Sequence, residues 1–190
     1  MTTYILHGGA TSRPTEDNKK FFFEMVADVP DSCTILCVYF SRPKEEWGEL
    51  LTQDKERISS ISPKKKLNFV LASDNTKIFT EQIKKAGVLY MRGGKTDMLL
   101  EALKPIEHFG SLLKGKIVAG SSAGACVLST QFYTGTNGST VRDGLGILQI
   151  KIFVHYGEEK KHFVEELEKR GEKLPIYKIP EETFYVIEQE

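Results

Sequence analysis

KIVAGSSAGA, residues 116–125, decides the fold of this chain. Its first four residues form an apolar run that predicts a buried strand, and the next six carry a G-x-S-x-G pattern that predicts a sharp turn into a helix. Because the two flanking glycines have no β-carbon, the central serine can project its hydroxyl above the edge of a sheet. The register selects Ser122, rather than Ser121, as the candidate nucleophile. A Gly/Ser turn that only opens an amphipathic helix is the structural alternative.

The composition indicates one globular domain over residues 1–190. The chain is 40% hydrophobic and 27% charged, which suffices for a core that needs no disulfide or metal to hold it. Lys plus Arg equals Asp plus Glu at 26 each, so no overall field favours nucleic acid or an anionic membrane. We therefore expect neither as a partner.

Hydropathy and cysteine usage indicate an intracellular protein. No apolar segment approaches the roughly 20 residues that span a bilayer, and the N-terminus lacks a signal-peptide pattern, so we expect a soluble cytoplasmic protein. The three cysteines, Cys33, Cys37 and Cys126, are odd in number and have no metal-like spacing with histidine. We expect reduced thiols in the core, and no metal site.

Short apolar runs alternate with longer helical patterns along the chain. Several of the runs are rich in Val, Ile and Leu without alternation, which is typical of strands covered on both faces. The sequence therefore predicts a three-layer α/β/α sandwich with a mainly parallel sheet. Strands are predicted over 3–7, 34–40, 67–72, 88–91, 116–119 and 147–154. Helices are predicted over 16–29, 76–86 and 158–170, and over 96–113 with an interruption at Pro105 and Gly110.

A serine nucleophile needs a base, and four histidines are available. His155 is the first candidate, because it closes the run 147–154 and would stand at the carboxyl edge where open α/β sheets place their sites. Its structural alternative is a loop histidine that caps a strand. His7 ends the first predicted strand and stays possible. His108 and His162 lie in helical patterns where a solvated surface role is expected.

The third member of a triad would hold the base, and the sequence leaves several choices. Asp143 is the only carboxylate between Ser122 and His155, so it is the choice if the acid precedes the histidine in the chain. Asp143-Gly144 could instead form only a turn. Asn137 is a neutral alternative, since an amide oxygen can also accept the imidazole N–H. Glu181 is a weaker third option.

The donors for an oxyanion should come from the backbone. In a strand-turn-helix of this kind the N–H after the nucleophile, here that of Ala123, points at the developing charge beside a helix N-terminus. Gly93 and Gly94 follow the strand predicted over 88–91, and a loop without side chains there could supply a second donor. Their structural alternative is a plain turn before the next helix.

These residues resemble a known family, the serine peptidases that include aspartyl dipeptidase and cyanophycinase. The resemblance covers most of the chain and implies the class I glutamine-amidotransferase-like fold. It also implies a cytosolic hydrolase without cofactor that cuts short peptide or isopeptide-like bonds, with Ser122 as nucleophile, His155 as base and Gly93 and Gly94 in the oxyanion loop. The matching segments are Gly120 to Ala125, Gly93-Gly94-Lys95-Thr96 with Leu99-Leu100, Phe40 and Trp47, Gly144-Leu145-Gly146, and Val154-His155-Tyr156.

The chain departs from that family at positions that bear on the substrate. Lys95 follows the glycine pair where relatives usually carry Asn, and Glu158-Glu159-Lys160-Lys161 stands where many relatives carry arginines. A guanidinium binds a carboxylate through two hydrogen bonds, while an ammonium is a point charge, so Lys160 or Lys161 would hold an acidic substrate more weakly.

The sequence thus predicts a serine hydrolase, most simply a dipeptidase-like enzyme that acts on small peptides through an acyl-enzyme on Ser122. Two other classes stay open. One is an esterase or acyl-transfer enzyme with the same site, and the other is a catalytically silent binding module that retains the fold. The sequence gives neither the preferred residue nor the oligomeric state.

Overall fold

Strands and helices alternate along most of residues 1–134 and 140–190, which the computed structural model describes. The strands are β1 Thr2–His7, β2 Thr34–Val38, β3 Asn68–Leu71, β4 Val88–Met91, β5 Ile117–Ser121, β6 Ser129–Thr134, β7 Thr140–Asp143, β8 Leu148–Val154, β9 Ile176–Ile179 and β10 Phe184–Gln189. The helices are α1 Glu16–Glu24, α2 Trp47–Ile61, α3 Thr76–Lys85, α4 Thr96–Leu103, α5 Phe109–Leu112, α6 Ala123–Cys126 and α7 His162–Lys169.

The larger sheet of the described chain has the strand order β10-β1-β5-β4-β2-β3. All its pairings are parallel except that of β10 with β1. Residues of the central strands β4 and β5 are buried almost throughout, because helices and connecting segments cover the sheet. The predicted α/β fold with mainly parallel strands is confirmed.

A smaller sheet has the order β7-β6-β8-β9. β8 is parallel to both of its neighbours, and β7 runs antiparallel to β6 along one edge. The strand predicted over 147–154 therefore lies in this second sheet rather than in the larger one. The end of β8 nevertheless lies next to the larger sheet, since the N–H of His155 donates to the carbonyl of Gly8, 3.0 Å away.

Local signals set the helix ends. Asn75 caps α3, its side chain accepting the N–H groups of Lys77 and Ile78 at 3.1 and 3.2 Å. α4 ends at Leu103, ahead of Pro105, so the predicted interruption of 96–113 is confirmed at Pro105. The interruption predicted at Gly110 is wrong, because Gly110 lies inside the short helix α5. α1 is shorter than predicted, since residues 25–28 form turns before Pro30.

The sheet register gathers several loops at one edge. His7 at the end of β1 lies opposite Ser121 at the end of β5, and Met91 at the end of β4 lies opposite Gly120. The carboxyl ends of three parallel strands thus lie side by side, and the chain that leaves them can form one site. In the described part of the chain, none of the helices has both the length and the apolar character needed to cross a membrane.

Candidate active site

Ser122 occupies a strained turn between β5 and α6. Its backbone has φ of 48° and ψ of −105°, a conformation that residues with a side chain rarely adopt, and its N–H donates to the carbonyl of His7 at 2.9 Å. The glycines around it are required by close packing. A β-carbon on Gly120 would lie 2.4 Å from the carbonyl of Gly124, and one on Gly124 would lie 2.2 Å from the carbonyl oxygen of Met91.

His155 follows β8 and faces the serine. Its Nε2 lies 2.8 Å from Oγ of Ser122, within the range of a hydrogen bond between a nucleophile and its base. Gly9 allows the ring to reach this place, since a β-carbon there would lie 2.2 Å from Cε1 of His155. The predicted pair of Ser122 and His155 is therefore brought together.

The other ring nitrogen of His155 contacts a carboxylate from the loop between β9 and β10. Nδ1 lies 2.9 Å from Oε1 of Glu181, whose Oε2 lies 2.7 Å from the guanidinium of Arg13. The hydrogen bond with His155 lowers the pKa of Glu181, and the charge of Arg13 acts in the same direction. A carboxylate only accepts, so Nδ1 carries the proton and Nε2 is left to accept the Ser122 hydroxyl.

Glu181 thus stands where the sequence favoured Asp143. Asp143 ends β7, where its oxygens contact Gln131 and Arg170, each at 3.3 Å, and its side chain is largely exposed. The preference for Asp143 assumed that the acid precedes the histidine, but β7 lies at the outer edge of the smaller sheet. The alternative Asn137 lies outside the described residues.

The other histidines have different surroundings. His7 is buried, and its Nδ1 accepts the N–H of Gly9 at 3.0 Å while its Nε2 lies 2.9 Å from Oδ1 of Asn18. Burial lowers the pKa of His7 to about 4, which keeps the ring neutral. His7 therefore fixes the position of Gly9, which packs against the ring of His155. His108 and His162 are exposed, as predicted.

The residues predicted to bind an oxyanion lie around the serine. Ala123 is the first residue of α6, and a β-carbon on Gly93 would lie 3.1 Å from Cβ of Ser122. Gly94 packs closely on Ser41, since a β-carbon on Gly94 would lie 2.3 Å from the carbonyl oxygen of Ser41. The N–H groups of Ala123, Gly93 and Gly94 have no hydrogen-bond partner within residues 1–134 and 140–190. They are free to receive a ligand.

Two cavities open beside Ser122 and His155. The first has about 210 Å³ and is also lined by Gly94, Thr96, Tyr133 and Lys160. The second has about 240 Å³ and extends over the loops that follow β1 and β4. Lys160 is fixed near the base, since its Nζ donates to the carbonyl of His155 at 2.6 Å.

The thiols and possible metal ligands lie apart from this arrangement. Cys33, Cys37 and Cys126 are buried and form no disulfide. Burial raises the pKa of Cys126, the one that lines the first cavity, so it is a neutral thiol. Within the described ranges, three or more His, Cys, Asp or Glu side chains do not gather at any point as metal ligands would.

Glu181 carries only a weak signal in the sequence, and Arg13 carries none. One signal for Glu181 was present, because Pro180-Glu181-Glu182 separates two short β-rich runs and so places carboxylates at a strand end. The long separation between residues 13 and 181 left nothing in the sequence to predict their ion pair.

Comparisons with known proteins show the family of the chain and its fold. Residues 66–190 match the model of peptidase family S51. A solved structure described as a peptidase E protein from Listeria monocytogenes EGD-e has 19% identity, covers all of both chains and superposes with a TM-score of 0.66. A peptidase from an acI-B1 Actinobacterium has 21% identity over 98% of this chain and 83% of its own, with a TM-score of 0.68. At such identities the two structures show a shared fold. No curated protein matches the chain significantly.

Proposed function

The chain belongs to peptidase family S51, a family of serine peptidases, and from this premise we propose that it cleaves short peptides through an acyl-enzyme on Ser122. The observation that carries the proposal is the continuous contact from Oγ of Ser122 to Nε2 of His155 at 2.8 Å and from Nδ1 to Glu181 at 2.9 Å. This is the arrangement of nucleophile, base and orienting acid that acyl transfer needs.

The proposed first step forms the acyl-enzyme. Oγ of Ser122 attacks the scissile carbonyl carbon while its proton moves to Nε2 of His155, and the carbonyl oxygen takes up the negative charge. Glu181 stabilises the imidazolium that results. Nε2 then gives its proton to the leaving amine as the C–N bond breaks. A water molecule then hydrolyses the acyl-enzyme. His155 takes a proton from the water, the resulting hydroxide attacks the ester carbon, and Nε2 returns the proton to Oγ of Ser122 as the ester C–O bond breaks.

Backbone N–H groups would stabilise the oxyanion. The N–H of Ala123 lies at the start of α6, and the Gly93-Gly94 loop packs against Ser122 with N–H groups free in the described chain. Removing one such donor typically lowers kcat by about 100- to 1000-fold. Because these donors are fixed by the backbone, they need no reorganisation as the charge develops.

The size of the two cavities favours short substrates. Each holds about 210 to 240 Å³, roughly the space of one residue, and they meet at Ser122. A dipeptide would therefore place one residue in each. Lys160 lines the first cavity and favours an acidic group there, as a point charge rather than as a bidentate partner.

The silent binding module predicted as an alternative would lack an oriented base. Here both nitrogens of His155 are engaged, one by the candidate nucleophile and the other by an ionised carboxylate. An esterase could use the same groups, so peptides and matched esters should be compared.

A peptide-library digest with Ser122→Ala tests the proposal. We expect the wild type to release amino acids from dipeptides, and Ser122→Ala to lose at least about 10⁴-fold in kcat/KM. Ser111→Ala is the control, since this exposed serine lines neither of the two cavities, and it should retain activity within a few-fold. Hydrolysis of esters alone, or equal activity in Ser122→Ala, would contradict the proposal.

A further inference from the structure

Two residues in the turn after β2 hold the loop that follows β4 through three hydrogen bonds. The hydroxyl of Ser41 donates to the carbonyl of Arg92 at 2.7 Å, and Nε of Arg42 donates to the carbonyl of Gly93 at 2.9 Å. The carbonyl of Ser41 accepts the N–H of Lys95 at 2.8 Å. The loop beside the candidate nucleophile is therefore fixed at both of its ends and in its middle by the same two residues.

Two of these hydrogen bonds fix the peptide groups that carry the free donors of the site. The carbonyl of Arg92 and the N–H of Gly93 belong to one peptide group, and the carbonyl of Gly93 and the N–H of Gly94 belong to the next. Both N–H groups lack a hydrogen-bond partner in the part of the chain that the structure describes. A trans peptide group is planar, so a fixed carbonyl also fixes the direction of the N–H on its opposite side.

The two glycines need such contacts because of what close packing requires of them. A β-carbon on Gly94 would lie 2.3 Å from the carbonyl oxygen of Ser41, and one on Gly93 would lie 3.1 Å from Cβ of Ser122. Glycine fits this space, but it also has more backbone freedom than any other residue. A loop of two glycines keeps one orientation of its N–H groups only when neighbouring residues hold it there.

The turn that holds the loop is itself firmly placed. Ser41 is fully buried, and the N–H of Arg42 donates to the carbonyl of Tyr39 at 2.8 Å. Nε1 of Trp47, at the start of α2, donates to the carbonyl of Arg42 at 3.0 Å. The indole also packs against the ring of Phe40, with 5.4 Å between the ring centroids. Phe40 and Trp47 thus connect the turn to the core, and through the turn they support the loop after β4.

The contact of Arg42 with Gly93 also changes the strength of a donor. Its ion pair with Glu46 is long, at 3.8 Å between two side chains that are each about two-fifths exposed, and contributes little. The hydrogen bond from Nε to the carbonyl of Gly93 is shorter and comes from a charged group. A charged donor polarises the peptide group that it binds, and the N–H at the other end of that group becomes a stronger donor.

We propose that Ser41 and Arg42 are positioning residues for the oxyanion of the reaction. They hold the N–H groups of Gly93 and Gly94 towards the carbonyl oxygen that takes up negative charge when Ser122 attacks. The inference rests on the proposed function for that oxyanion. Neither side chain needs to contact the substrate for this role. Because the oxyanion forms only as the bond to the nucleophile forms, losing either contact lowers kcat and leaves KM almost unchanged.

Steady-state kinetics of Ser41→Ala and Arg42→Met test the inference on the dipeptide that the library digest shows to be cleaved fastest. We expect kcat to fall by about 10- to 100-fold in each variant, with KM within about three-fold of wild type. The aldehyde of the N-terminal residue of that dipeptide forms a hemiacetal whose oxygen takes the place of the oxyanion. It should bind more weakly by about the same factor as kcat/KM falls.

Glu46→Gln and Thr130→Val are the matched controls. The first removes the ion pair of Arg42 and leaves its hydrogen bond to the loop, and the second removes a hydroxyl that donates to the carbonyl of Leu148 in the smaller sheet. Both should keep kcat within about two-fold of wild type. If Ser41→Ala does not fold, Arg42→Met decides, since that side chain is partly exposed. An unchanged kcat in a folded variant, or a loss that appears in KM, would overturn the role of that residue.

Failure of the proposed function can be told apart from failure of this inference. If the wild type hydrolyses neither peptides nor esters and takes up no fluorophosphonate, the proposed function fails.

The contacts themselves are then judged by NMR of the labelled protein, from the carbonyl carbons of Arg92 and Gly93 and the amide groups that follow them. Loss of a hydrogen bond to a carbonyl moves its carbon resonance upfield. We expect this shift at residue 92 in Ser41→Ala and at residue 93 in Arg42→Met, each with a shift of the next amide proton. Resonances that stay at their wild-type positions in both variants would overturn the inference.

Discussion

Oε1 of Glu181 lies 2.9 Å from Nδ1 of His155, although 26 residues separate them and the carboxylate comes after the histidine in the chain. The chain order of these groups is therefore Ser122, His155, Glu181. The contact fixes which ring nitrogen carries the proton, and with it which nitrogen can accept the proton of Ser122. The proposed chemistry depends on this one hydrogen bond.

Replacing this carboxylate tests that dependence. We expect Glu181→Gln to lower kcat by about 10³- to 10⁴-fold, because a neutral amide can hold the wrong tautomer and does not stabilise the imidazolium. Steady-state kinetics on a hydrolysed dipeptide measure the loss. The fold should be intact, as far-UV circular dichroism would show.

Asp143→Asn is the matched control for that variant. Asp143 contacts Gln131 and Arg170 at the edge of the smaller sheet, so kcat should stay within about two-fold of wild type. A large loss in Asp143→Asn together with full activity in Glu181→Gln would return the orienting role to Asp143.

His7 should make stability depend on pH. The pKa of His7 is lowered to about 4 in the folded protein by burial, while an unfolded chain has the ordinary value of 6.5. The unfolded state therefore binds more protons between these values, and the stability present above about pH 6.5 is lost as the pH falls towards 4. Between about pH 7.5 and about pH 4.5 the loss from this residue is roughly 2 to 3 kcal/mol.

Urea unfolding of His7→Gln at both pH values checks the His7 prediction. The variant should be less stable at neutral pH, where the hydrogen bonds to Asn18 and Gly9 are changed, but should show a shallower dependence on pH. His162→Gln, at an exposed histidine, should keep the dependence of the wild type. An unchanged slope in His7→Gln would refute the assignment.

Gly124 is required by packing rather than by helix formation. A methyl group there would overlap the carbonyl of Met91 in β4, with 2.2 Å between the built β-carbon and the oxygen. We expect Gly124→Ala to lower the free energy of unfolding by at least about 3 kcal/mol, or to prevent folding. A β-carbon on Gly48 in α2 would have no atom within 4 Å. Gly48→Ala should therefore leave the free energy of unfolding unchanged or raise it by up to about 1 kcal/mol. Thermal unfolding of both variants gives the comparison.

Lys151 stabilises the C-terminal end of α7 from inside the protein. Its side chain is buried, and Nζ donates to the carbonyls of Leu167 and Arg170 at 2.8 and 2.5 Å. Lys151→Met would leave these carbonyls without a donor, and we expect a loss of about 2 to 4 kcal/mol in urea unfolding. Lys169→Met, on the exposed face of α7, should change the free energy of unfolding by less than about 0.5 kcal/mol. If Lys151→Met and Lys169→Met lowered it equally, the buried hydrogen bonds of Lys151 would contribute little.

Most of the larger sheet could be predicted because its strands are short apolar runs between clear breaks. The runs at 88–91 and 116–119 become β4 and β5 almost unchanged, since strands buried on both faces leave no polar residue in the pattern. α2 was missed for the opposite reason. Its buried face consists of Trp47, Leu50, Asp54 and Ile58, and the carboxylate interrupts the apolar period in the sequence. In the structure this carboxylate forms ion pairs with Arg57 and Arg92.

The part of the site that could be predicted is formed by residues that are close together in the chain. The G-x-S-x-G pattern specifies a turn that only glycines can make, and it singles out Ser122 without knowledge of the fold. The partner of His155 depends instead on how β9 and β10 place their connecting loop against β1, with Glu182 N–H donating to the carbonyl of Gly9 at 3.0 Å. Contacts between residues so distant in the chain leave no periodic signal in one sequence.

The central claim is that the hydroxyl of Ser122 is activated, and labelling with a fluorophosphonate probe tests it most directly. The probe phosphonylates a serine only when a neighbouring base increases its reactivity. After digestion and mass spectrometry we expect a single adduct on the peptide that holds Ser122, retained in Ser111→Ala, lost in Ser122→Ala and slowed at least about 100-fold in Glu181→Gln. A native, folded protein that takes up no probe, or takes it up at another residue, would contradict the account.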